Sequence, residues 1–338
     1  MNTVTLCSRC VMPSTFPGIV FRDGLCSLCA QSSEIGNIQG RKLHLAGQIR
    51  AQIASLRGRS HYDCVVAFSG GKDSSYTLLM LVRELGLSCL AVTVDNGFVS
   101  AQAAANCKAV TAALGVDFVC YTPAFDFMKK LYGKSLTEAG IHTRAAAKRA
   151  SSLCNSCIGL INSYMLQTAI RQGIPMIAGG YIGGQVPADA AVLSIDTGPQ
   201  NHARQAALAR SINLFGPAAS RYFDIAAAGP AGPQSVVIIN PMLATDLTEA
   251  QIIEAISELG WVRTRDTGLN SSNCRLNDLG IVLHYRKHGF HPYVLELSEQ
   301  VRSGLMARDE ALRRVQHIPG LETLAPQMRK LELDAAAL

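Results

Sequence analysis

Apolar stretches alternate with amphipathic stretches from residue 63 onward, which predicts an α/β protein with a doubly wound parallel sheet. The apolar stretches have the length and β-branched content of buried strands. The predicted strands are 64–68, 88–94, 118–121, 175–178 and 235–239, and the predicted helices are 75–85, 101–114 and a helical region over 125–173. Ligands of such sheets bind beyond the carboxyl ends of the strands, so the loops there are the first candidates for a site.

Changes in composition divide the chain into four segments. We assign 1–32 to a small zinc ribbon, 33–62 to a linker helix, 63–260 to the α/β domain and 261–338 to a C-terminal segment with a helical tail over 297–315. Residues 180–233 are rich in Ala, Gly and Pro, and we favour a surface insertion over a mobile lid. A helix over 248–259 is expected to begin at a signal from Thr245 or Asp246.

The composition argues against several classes of protein. The chain has 338 residues, of which 48% are hydrophobic, so it can bury a large core and is not expected to be disordered. No uncharged apolar stretch reaches about 18 residues, the length that suggests a membrane span, and no basic-then-apolar leader opens the sequence. We therefore expect a cytoplasmic protein without a membrane partner.

The net charge of +6 is modest, but basic residues cluster in two places. We interpret both clusters as solvated helix faces, with contact to an anionic substrate as the alternative. The first cluster is Arg41, Lys42, Arg50, Arg57 and Arg59, and the second is Lys129, Lys130, Lys134, Arg144, Lys148 and Arg149.

Two C-x2-C pairs stand at the N-terminus, Cys7 with Cys10 and Cys26 with Cys29, in a chain with eleven cysteines. A tetrahedral site of four thiolates needs two such pairs, so the spacing predicts a Zn²⁺ site in a small ribbon. A redox role for one pair is the weaker alternative, because redox C-x2-C pairs usually open a helix after a strand.

The loop after the first predicted strand carries the strongest catalytic signal. Its sequence is Ser69-Gly70-Gly71-Lys72-Asp73-Ser74-Ser75, and it leads into a predicted helix. Two glycines let the backbone turn its amides inward, the helix adds its positive end, and the serine hydroxyls add donors. Such a loop can hold a chain of phosphates, and Asp73 is then a candidate for the carboxylate linked to Mg²⁺. A plain helix cap is the alternative.

This loop resembles the PP-loop of the ATP pyrophosphatase superfamily, which includes GMP synthetase, asparagine synthetase, tRNA lysidine synthetase and the tRNA thiolation enzymes. The resemblance implies a sheet of the PP-loop (HUP-like) type and cleavage of ATP to AMP and pyrophosphate, so that a second substrate is activated as an adenylate. It also implies that ATP contacts residues 69–75, Phe68, Val94 and Asp95 at the ends of the first two strands, and Gly179 after a later strand.

A second resemblance covers roughly the first hundred residues. The sequence from Cys7 to Ile19, the later Gly24-Leu-Cys26 and then the PP-loop are similar to the N-acetyl sugar amidotransferases of surface-polysaccharide synthesis. That resemblance implies transfer of ammonia supplied by a glutaminase partner.

A third cysteine set lies outside the ribbon. Cys154 and Cys157 fall on one predicted helical turn, and Cys274 stands alone far along the chain. The three resemble the ligands of the [4Fe-4S] cluster in PP-loop tRNA thiolation enzymes, in which one iron stays open to bind sulfide. Catalytic thiols without iron, a zinc site short of one ligand, and buried cysteines without function remain alternatives. The subgroup's Gly-His-Asn-x-x-Asp is replaced by residues 179–185, Gly-Gly-Tyr-Ile-Gly-Gly-Gln, with Asp189 further on.

Other polar and sulfur-containing residues are expected to be structural. Cys64, Cys89, Cys107 and Cys120 are interpreted as small core residues. The histidines of the sequence His-Tyr-Arg-Lys-His-Gly-Phe-His, at 284, 288 and 291, are interpreted as a basic surface near the substrate or a structural turn, with a metal site as the alternative.

Together these patterns predict an ATP-dependent sulfurtransferase. A carbonyl oxygen of the acceptor attacks the α-phosphate of MgATP, and sulfur held at the cluster or on Cys154, Cys157 or Cys274 then displaces AMP. The acceptor is a tRNA base or a nucleobase-like small molecule, the sulfur donor is a further partner, and a homodimer is left open. The alternatives are the sugar amidotransferase and a non-enzymatic zinc-ribbon adaptor with a degenerate nucleotide fold.

Overall fold

A six-stranded sheet forms the centre of the protein in the computed structural model, which describes residues 4–31, 35–198, 201–225, 233 and 235–334. The strand order is β5-β4-β3-β6-β8-β7, and every pair is parallel except β7 with β8. The strands are β3 (Cys64–Ala67), β4 (Cys89–Val94), β5 (Asp117–Tyr121), β6 (Met176–Ala178), β7 (Val192–Asp196) and β8 (Ser235–Ile239). A separate hairpin pairs β1 (Phe21–Arg22) with β2 (Leu25–Cys26).

Helices cover both faces of the sheet. The helices are α1 (Ser27–Gln31), α2 (Ile35–Leu56), α3 (Lys72–Leu79), α4 (Ala101–Leu114), α5 (Phe125–Thr137), α6 (Arg144–Ala147), α7 (Ser152–Gln172), α8 (His202–Phe215), α9 (Ala219–Phe223), α10 (Glu249–Ser257), α11 (Asn277–His288), α12 (Val294–Arg302), α13 (Arg308–Gln316) and α14 (Ala325–Lys330). Short 3-10 turns lie at Pro241–Ala244 and Leu321–Leu324.

The alternation of side chains along the strands separates two apolar cores. Val65 and Leu90 point into the core that α5, α7, α9 and α11 cover, whereas Val66 and Ala91 point into the core covered by α2, α3, α4 and α10. Strands buried on both faces read as continuous apolar runs, which is why the sequence pattern identified them. The predicted doubly wound parallel sheet is confirmed.

Three local predictions differ from the structure. The helix of the PP-loop begins at Lys72 and continues after Leu79 as a π-helical turn over Met80–Glu84. Strand β7 was not predicted, because at this antiparallel edge its residues are exposed or half-buried and form no apolar run. Helix α10 is capped by Thr248, in a capping box with Gln251, and not by Thr245 or Asp246.

The C-terminal helices pack against the N-terminal cysteine unit in a third apolar core. Phe16 contacts Phe290 edge to face at 5.1 Å, and Val294 and Leu297 of α12 are buried with the four cysteines. The predicted helical tail over 297–315 consists of two helices, because α12 ends at Arg302 and Gly304, with φ of +71°, turns the chain before α13. The cysteine unit and α12 are therefore held together by one core.

The structural interpretations of the remaining cysteines and histidines hold in part. Cys64, Cys89 and Cys107 are buried, but Cys120 is exposed on edge strand β5, so its assignment to the core is wrong. The basic-surface interpretation is wrong for His284 and His291, because both are buried and burial lowers the pKa of each to about 3, which leaves them neutral. His284 lies within α11, and His291 lies in the turn between α11 and α12. No helix in the described ranges is long and apolar enough to cross a membrane.

Candidate active site

The loop between β3 and α3 is shaped by Gly70. Its φ is +70°, a left-handed conformation that glycine adopts readily. Its carbonyl oxygen accepts hydrogen bonds from Trp261 Nε1 at 2.9 Å and Asn106 Nδ2 at 3.3 Å. A Cβ at this position would lie 2.1 Å from the carbonyl oxygen of Ala103 in α4. The tight turn therefore depends on a residue without a side chain.

The hydroxyls of this loop hold one another in place. Ser69 Oγ and Ser74 Oγ are 3.1 Å apart, and Ser74 Oγ also accepts from the Ser69 amide at 3.2 Å. No side chain of the N-cap residue Gly71 closes the first turn of α3, and the Lys72 amide donates to Ser272 Oγ at 3.0 Å. The loop thus presents a helix N-terminus and two hydroxyls, a combination that favours anions.

The charged residues of the loop face a carboxylate of α10. Lys72 Nζ lies 2.8 Å from Asp73 Oδ1 and 3.9 Å from Glu249 Oε2. Glu249 also pairs with Arg314 at 3.0 Å and Arg263 at 2.8 Å. Burial raises the pKa of Glu249, but these three cations together hold it at about 2. Lys72 and Glu249 line a cavity of about 490 Å³ that adjoins the PP-loop.

A second cavity, of about 650 Å³, lies beyond the carboxyl ends of the strands and contains most of the predicted site. The predicted residues that line it are Phe68, Ser69, Gly71, Asp73, Ser74, Val94, Cys154, Cys157, Gly179 and Cys274. Residues from a loop, a helix and the C-terminal segment thus meet at one place, where parallel sheets bind their ligands. We call this space the central cavity.

Four predicted site residues stand beside the central cavity and do not line it. Gly70 supports the loop from behind, and Lys72 faces the neighbouring cavity. The Ser75 hydroxyl is buried without a hydrogen-bond partner, and Asp95 Oδ1 accepts from the Gly97 amide at 2.9 Å, which shapes the turn after β4. Asp95 therefore orders a loop at the rim of the cavity.

Cys154, Cys157 and Cys274, which we call the cysteine triad, converge on one wall of the central cavity. Asn96 Nδ2 lies 3.3 Å from Cys157 Sγ and 3.7 Å from Cys274 Sγ. Burial raises the pKa of the Cys154 thiol to about 11 and that of Cys274 to about 12, and repulsion between the thiolates adds to both rises. The three thiols therefore sit in a place that favours their neutral forms unless a cation binds there.

The sequence analysis did not single out Asn96 as a contact of the cysteine triad, nor Tyr132 and Glu296 as cavity residues. Asn96 lies in the Val-Asp-Asn-Gly sequence after β4, so its position at a strand end was a usable signal. Tyr132 comes from α5, and its hydroxyl lowers the pKa of Cys157, although burial raises it more. Glu296 comes from α12, and no local pattern connects that helix with the PP-loop.

The loop over residues 179–185 is wedged between the PP-loop and α12. A Cβ on Gly180 would lie 3.1 Å from the backbone of Ser74, and a Cβ on Gly184, with φ of +90°, would lie 2.4 Å from Glu296 Cα. The glycines allow both close approaches, so the loop fits only because these positions lack side chains. Asp189, further on, is exposed and does not line the central cavity.

The N-terminal cysteines form a second sulfur site. The Sγ atoms of Cys7, Cys10, Cys26 and Cys29 all lie within 4.8 Å of one another, and all four residues are buried. Backbone amides of the turns point at the sulfurs, with the Cys26 amide 3.3 Å from Cys7 Sγ. Arg308 of α13 donates to the carbonyl oxygens of Cys7 at 3.1 Å and Cys10 at 3.2 Å. The donor set is that of a tetrahedral thiolate site.

The basic clusters are only partly solvated faces. Lys42 is buried and bonds Asp246, and Arg41 pairs with Glu299 at 3.1 Å. Arg149 lines both cavities, and its Nη1 donates to the carbonyl oxygens of Gly184 and Val186 at 2.8 and 2.9 Å. The solvated-face interpretation is wrong for Lys42 and Arg149.

The parallel sheet, the glycine-rich loop at its switch point and the cavity beyond its strand ends form the arrangement in which doubly wound α/β proteins bind nucleotides. The loop 69–75 is similar to the PP-loop of the ATP pyrophosphatase superfamily. The sequence model of a family described as "Queuosine biosynthesis protein QueC" matches residues 63–176.

Two relatives match different shares of the chain. An uncharacterized protein of Methanocaldococcus jannaschii is 23% identical over 259 residues, which are 75% of this chain and 73% of the relative. The tRNA(Ile)-lysidine synthase of Nitratidesulfovibrio vulgaris is 40% identical over 92 residues. That match spans 26% of this chain and 26% of the synthase.

Solved structures of similar fold include the U34-tRNA thiolase NcsA from Methanococcus maripaludis with its [4Fe-4S] cluster. It is 15% identical, with a TM-score of 0.34, and the match covers 94% of this chain and 90% of the thiolase. The NMN synthetase from Francisella tularensis is 13% identical, with a TM-score of 0.40 and coverage of 82% and 91%. The NH3-dependent NAD synthetase from Campylobacter jejuni is 14% identical, with a TM-score of 0.29, and the match covers 46% of this chain and 59% of the synthetase.

Proposed function

We propose that the protein is an ATP-dependent sulfurtransferase, which adenylates a carbonyl oxygen of its acceptor and replaces that oxygen with sulfur. One observation carries this proposal: the PP-loop and the cysteine triad line the same cavity. An activated oxygen and a sulfur nucleophile must meet at one carbon atom, and few other reactions need both a nucleotide loop and three thiols there.

The nucleotide half of the site would act through the loop residues. Ser69, Gly71 and Ser74 would hold the phosphates, and the carboxylate of Asp73 would bind the Mg²⁺ that accompanies ATP. Phe68 and Val94 would lie against the adenosine, with Gly179 on the facing loop. Attack by the acceptor oxygen on the α-phosphate then releases pyrophosphate and leaves AMP as a good leaving group.

The cysteine triad fits a [4Fe-4S] cluster better than a single metal ion. Among the described residues, the N-terminal cysteine set is the group whose ligand atoms lie close enough together to share one ion, and the cysteine triad does not form such a group. Ligands of different irons in one cluster lie further apart than ligands of one ion, and thiolates are the ligands that such clusters use. A bound cluster would supply an open iron at which sulfide becomes a nucleophile.

Residues around the cysteine triad would control its protonation. Asn96 lies beside the thiols of Cys157 and Cys274. Asn96 and Tyr132 both lower the pKa of the Cys157 thiol, although burial raises it more. Without iron, one of the same three cysteines could take a sulfane sulfur from a persulfide donor. Its outer sulfur would displace AMP, and attack by a second cysteine would release the thiolated acceptor and leave a disulfide. Both forms of sulfur would reach the same adenylated carbon atom.

The acceptor is proposed to be a tRNA base or a nucleobase-like small molecule. The tRNA(Ile)-lysidine synthase relative, which matches 92 residues of this chain, is by its name a tRNA enzyme. The net charge of +6 is compatible with an anionic acceptor but does not require one.

The sugar amidotransferase alternative gains no support from the relatives named above, none of which carries that name. Ammonia transfer also leaves the cysteine triad without a task. An adaptor without activity would not need an intact Ser-Gly-Gly-x-Asp-Ser loop facing a cavity. The sulfurtransferase therefore accounts for more of the site than either alternative.

The proposal is tested by anaerobic incubation with ATP, Mg²⁺, sulfide and total tRNA, followed by mass spectrometry of the nucleosides. We expect a thiolated nucleoside, with AMP and pyrophosphate formed in equal amounts. Asp73→Asn should reduce pyrophosphate release at least 100-fold, because it weakens the site of the Mg²⁺ that neutralises the reacting phosphates, and loss of one such electrostatic stabilisation costs about 2.7 to 4 kcal/mol. Unchanged release by Asp73→Asn would contradict its assigned role, and a product aminated instead of thiolated would refute the function.

We also propose that the four N-terminal cysteines bind Zn²⁺. Cys10→Ala should remove zinc, as counted by elemental analysis, and should loosen α13, since Arg308 holds the backbone of that turn. The matched control is Cys64→Ala, which removes a buried thiol from β3 outside the ribbon. Zinc retained at the wild-type level in Cys10→Ala, or lost equally in both variants, would contradict the assignment.

A further inference from the structure

Glu296 is a half-buried carboxyl group that the proposed chemistry leaves without a role. It lies in the first turn of α12, and its side chain lines the central cavity together with Asp73 and Ser74 of the PP-loop and the cysteine triad. Gly184 packs against its backbone, which fixes the start of α12 at the edge of the cavity. The carboxyl group therefore lies in the same cavity as the PP-loop, which would activate the substrate, and the cysteine triad, which would supply the sulfur.

The partners of Glu296 are neutral amides. Gln185 Nε2 donates to Glu296 Oε2 at 2.9 Å, and Gln300 Nε2 donates to Oε1 at 3.3 Å. Lys72, whose charge reaches Glu296, pairs instead with Asp73 and Glu249. In the described ranges no cation forms an ion pair with Glu296. Each carboxylate oxygen has a second lone pair, so the group can accept a further hydrogen bond from a ligand.

A structural role alone explains this placement poorly. A glutamate in the first turn does stabilise a helix through its dipole, but that benefit does not require burial. A half-buried carboxyl without a paired cation loses part of its hydration, and an apolar residue would pack there at less cost. The carboxylate is thus placed to accept a hydrogen bond from a ligand in the central cavity.

We propose that Glu296 accepts a hydrogen bond from the N–H group next to the reactive carbonyl of the substrate, and so selects amide-type carbonyls such as those of nucleobases. This inference rests on the proposed adenylation. As the carbonyl oxygen bonds to the α-phosphorus, the bond from that phosphorus to the bridging oxygen breaks and pyrophosphate leaves. The N–H proton passes to the Glu296 carboxylate, and the N–H electron pair forms the C=N bond of the adenylated imidate.

The electrostatics of the carboxyl agree with proton transfer near neutral pH. Burial raises the pKa of Glu296 to about 7, and the charge of Asp73 adds to the rise. The hydrogen bond from Gln185 and the charges of Lys72 on α3 and Arg314 on α13 act in the opposite direction. Glu296 must be ionised to take the proton, so the rate of adenylation should increase as pH rises through about 7 and level off above it.

Binding of nucleoside pairs tests the recognition step. The probes are two pairs of nucleosides, uridine with 3-methyluridine and inosine with 1-methylinosine. In each pair, a methyl group replaces the N–H hydrogen of the second member. Binding of each nucleoside is measured by ligand-observed NMR in the presence of Mg²⁺ and a non-hydrolysable ATP analogue. We expect the wild-type protein to bind at least one unmethylated probe tenfold or more tightly than its methylated partner. The Glu296→Leu variant should lose that preference but should still bind the ATP analogue. A wild-type protein without any preference, or an unchanged preference in Glu296→Leu, would overturn the inference.

The rate of pyrophosphate release with the preferred nucleoside tests the proton transfer. Glu296→Gln should lower the rate about 100-fold and abolish its rise with pH, because a positioned base contributes roughly 10² to 10⁴. Glu299→Gln is the matched control, since this carboxylate on the same helix pairs with Arg302 and Arg41. Loss of Mg²⁺-dependent ATP binding in Glu296→Gln would instead make it a metal ligand and overturn the inference.

The inference and the proposed function fail in different ways. If no acceptor is thiolated but Glu296 still governs the preference for the N–H group, the sulfurtransferase is wrong and the inference is supported. If thiolation proceeds at the same rate in Glu296→Gln as in the wild type, the function is supported and the inference is wrong.

Discussion

Gly70→Ala is expected to abolish ATP binding and to destabilise the protein by several kcal/mol. A left-handed conformation costs a residue with a Cβ about 1 to 2 kcal/mol. At Gly70 the new Cβ would also lie 2.1 Å from the carbonyl oxygen of Ala103 and 2.9 Å from Cys107 Sγ. Both atoms belong to the well-packed helix α4, so the PP-loop itself must move away, and its amides would no longer match a phosphate chain.

Gly115→Ala is the matched control for this prediction. Gly115 also has a left-handed φ, +64°, at the C-terminal cap of α4, but a Cβ there would meet nothing within 4 Å. Both variants therefore share the conformational cost, and only Gly70→Ala adds the clash. Calorimetry with MgATP and denaturant unfolding would separate them. Equal ATP affinity in the two variants would show that the turn at Gly70 does not shape the nucleotide site.

Local patterns predicted the parts of the site that are contiguous in sequence. The loop 69–75 was identified because its glycines and hydroxyls follow a buried strand and precede a helix, and all of these signals lie within a dozen residues. Cys154 and Cys157 could be paired because positions three apart share one face of a helix. The strands of the parallel sheet were also predicted almost to the residue, because each is a short local run of apolar residues. The half-buried edge strand β7 has no such run and was missed.

Contacts between distant segments could not be predicted from such patterns. Cys274 joined the other two cysteines only through a resemblance, since 117 residues separate it from Cys157. Asn96 contacts both thiols because the strand end of β4 faces the segment before α11, and Val99 pairs with Cys274 in an isolated bridge. Glu296 reaches the cavity because α12 packs on the N-terminal cysteine unit and on Gly184. Each of these depends on tertiary packing that carries no periodic signal.

The packing of α12 also suggests how the two sulfur sites are coupled. Arg302, at the end of α12, lies 3.8 Å from Cys10 Sγ, and Arg308 binds the backbone of the same cysteine turn. The other end of α12 carries Glu296 into the central cavity. A metal-filled ribbon would therefore stabilise the helix that carries Glu296, and it would give the N-terminal unit an indirect part in the proposed reaction.

Cys274→Ala is expected to remove all iron from the anaerobically purified protein while its zinc content stays unchanged. The substitution deletes one of three thiolates, and two thiolates on one helical turn cannot hold three irons of a cluster. The measurements are the visible absorption spectrum and iron and zinc counts on the same sample, so that the two metal sites report separately. Cys120→Ala is the control, because that cysteine is exposed on β5 and outside both sites.

Each outcome of this experiment has a distinct meaning. A brown wild-type protein that becomes colourless only in Cys274→Ala supports cluster ligation by the cysteine triad. Iron retained in Cys274→Ala would place any cluster elsewhere. An iron-free wild-type protein that still thiolates its acceptor would assign the sulfur to the thiols themselves, and Cys274→Ala would then remove a step of sulfur transfer. In both supported cases the triad would supply the sulfur, because its thiols line the same cavity as the PP-loop that would activate the oxygen.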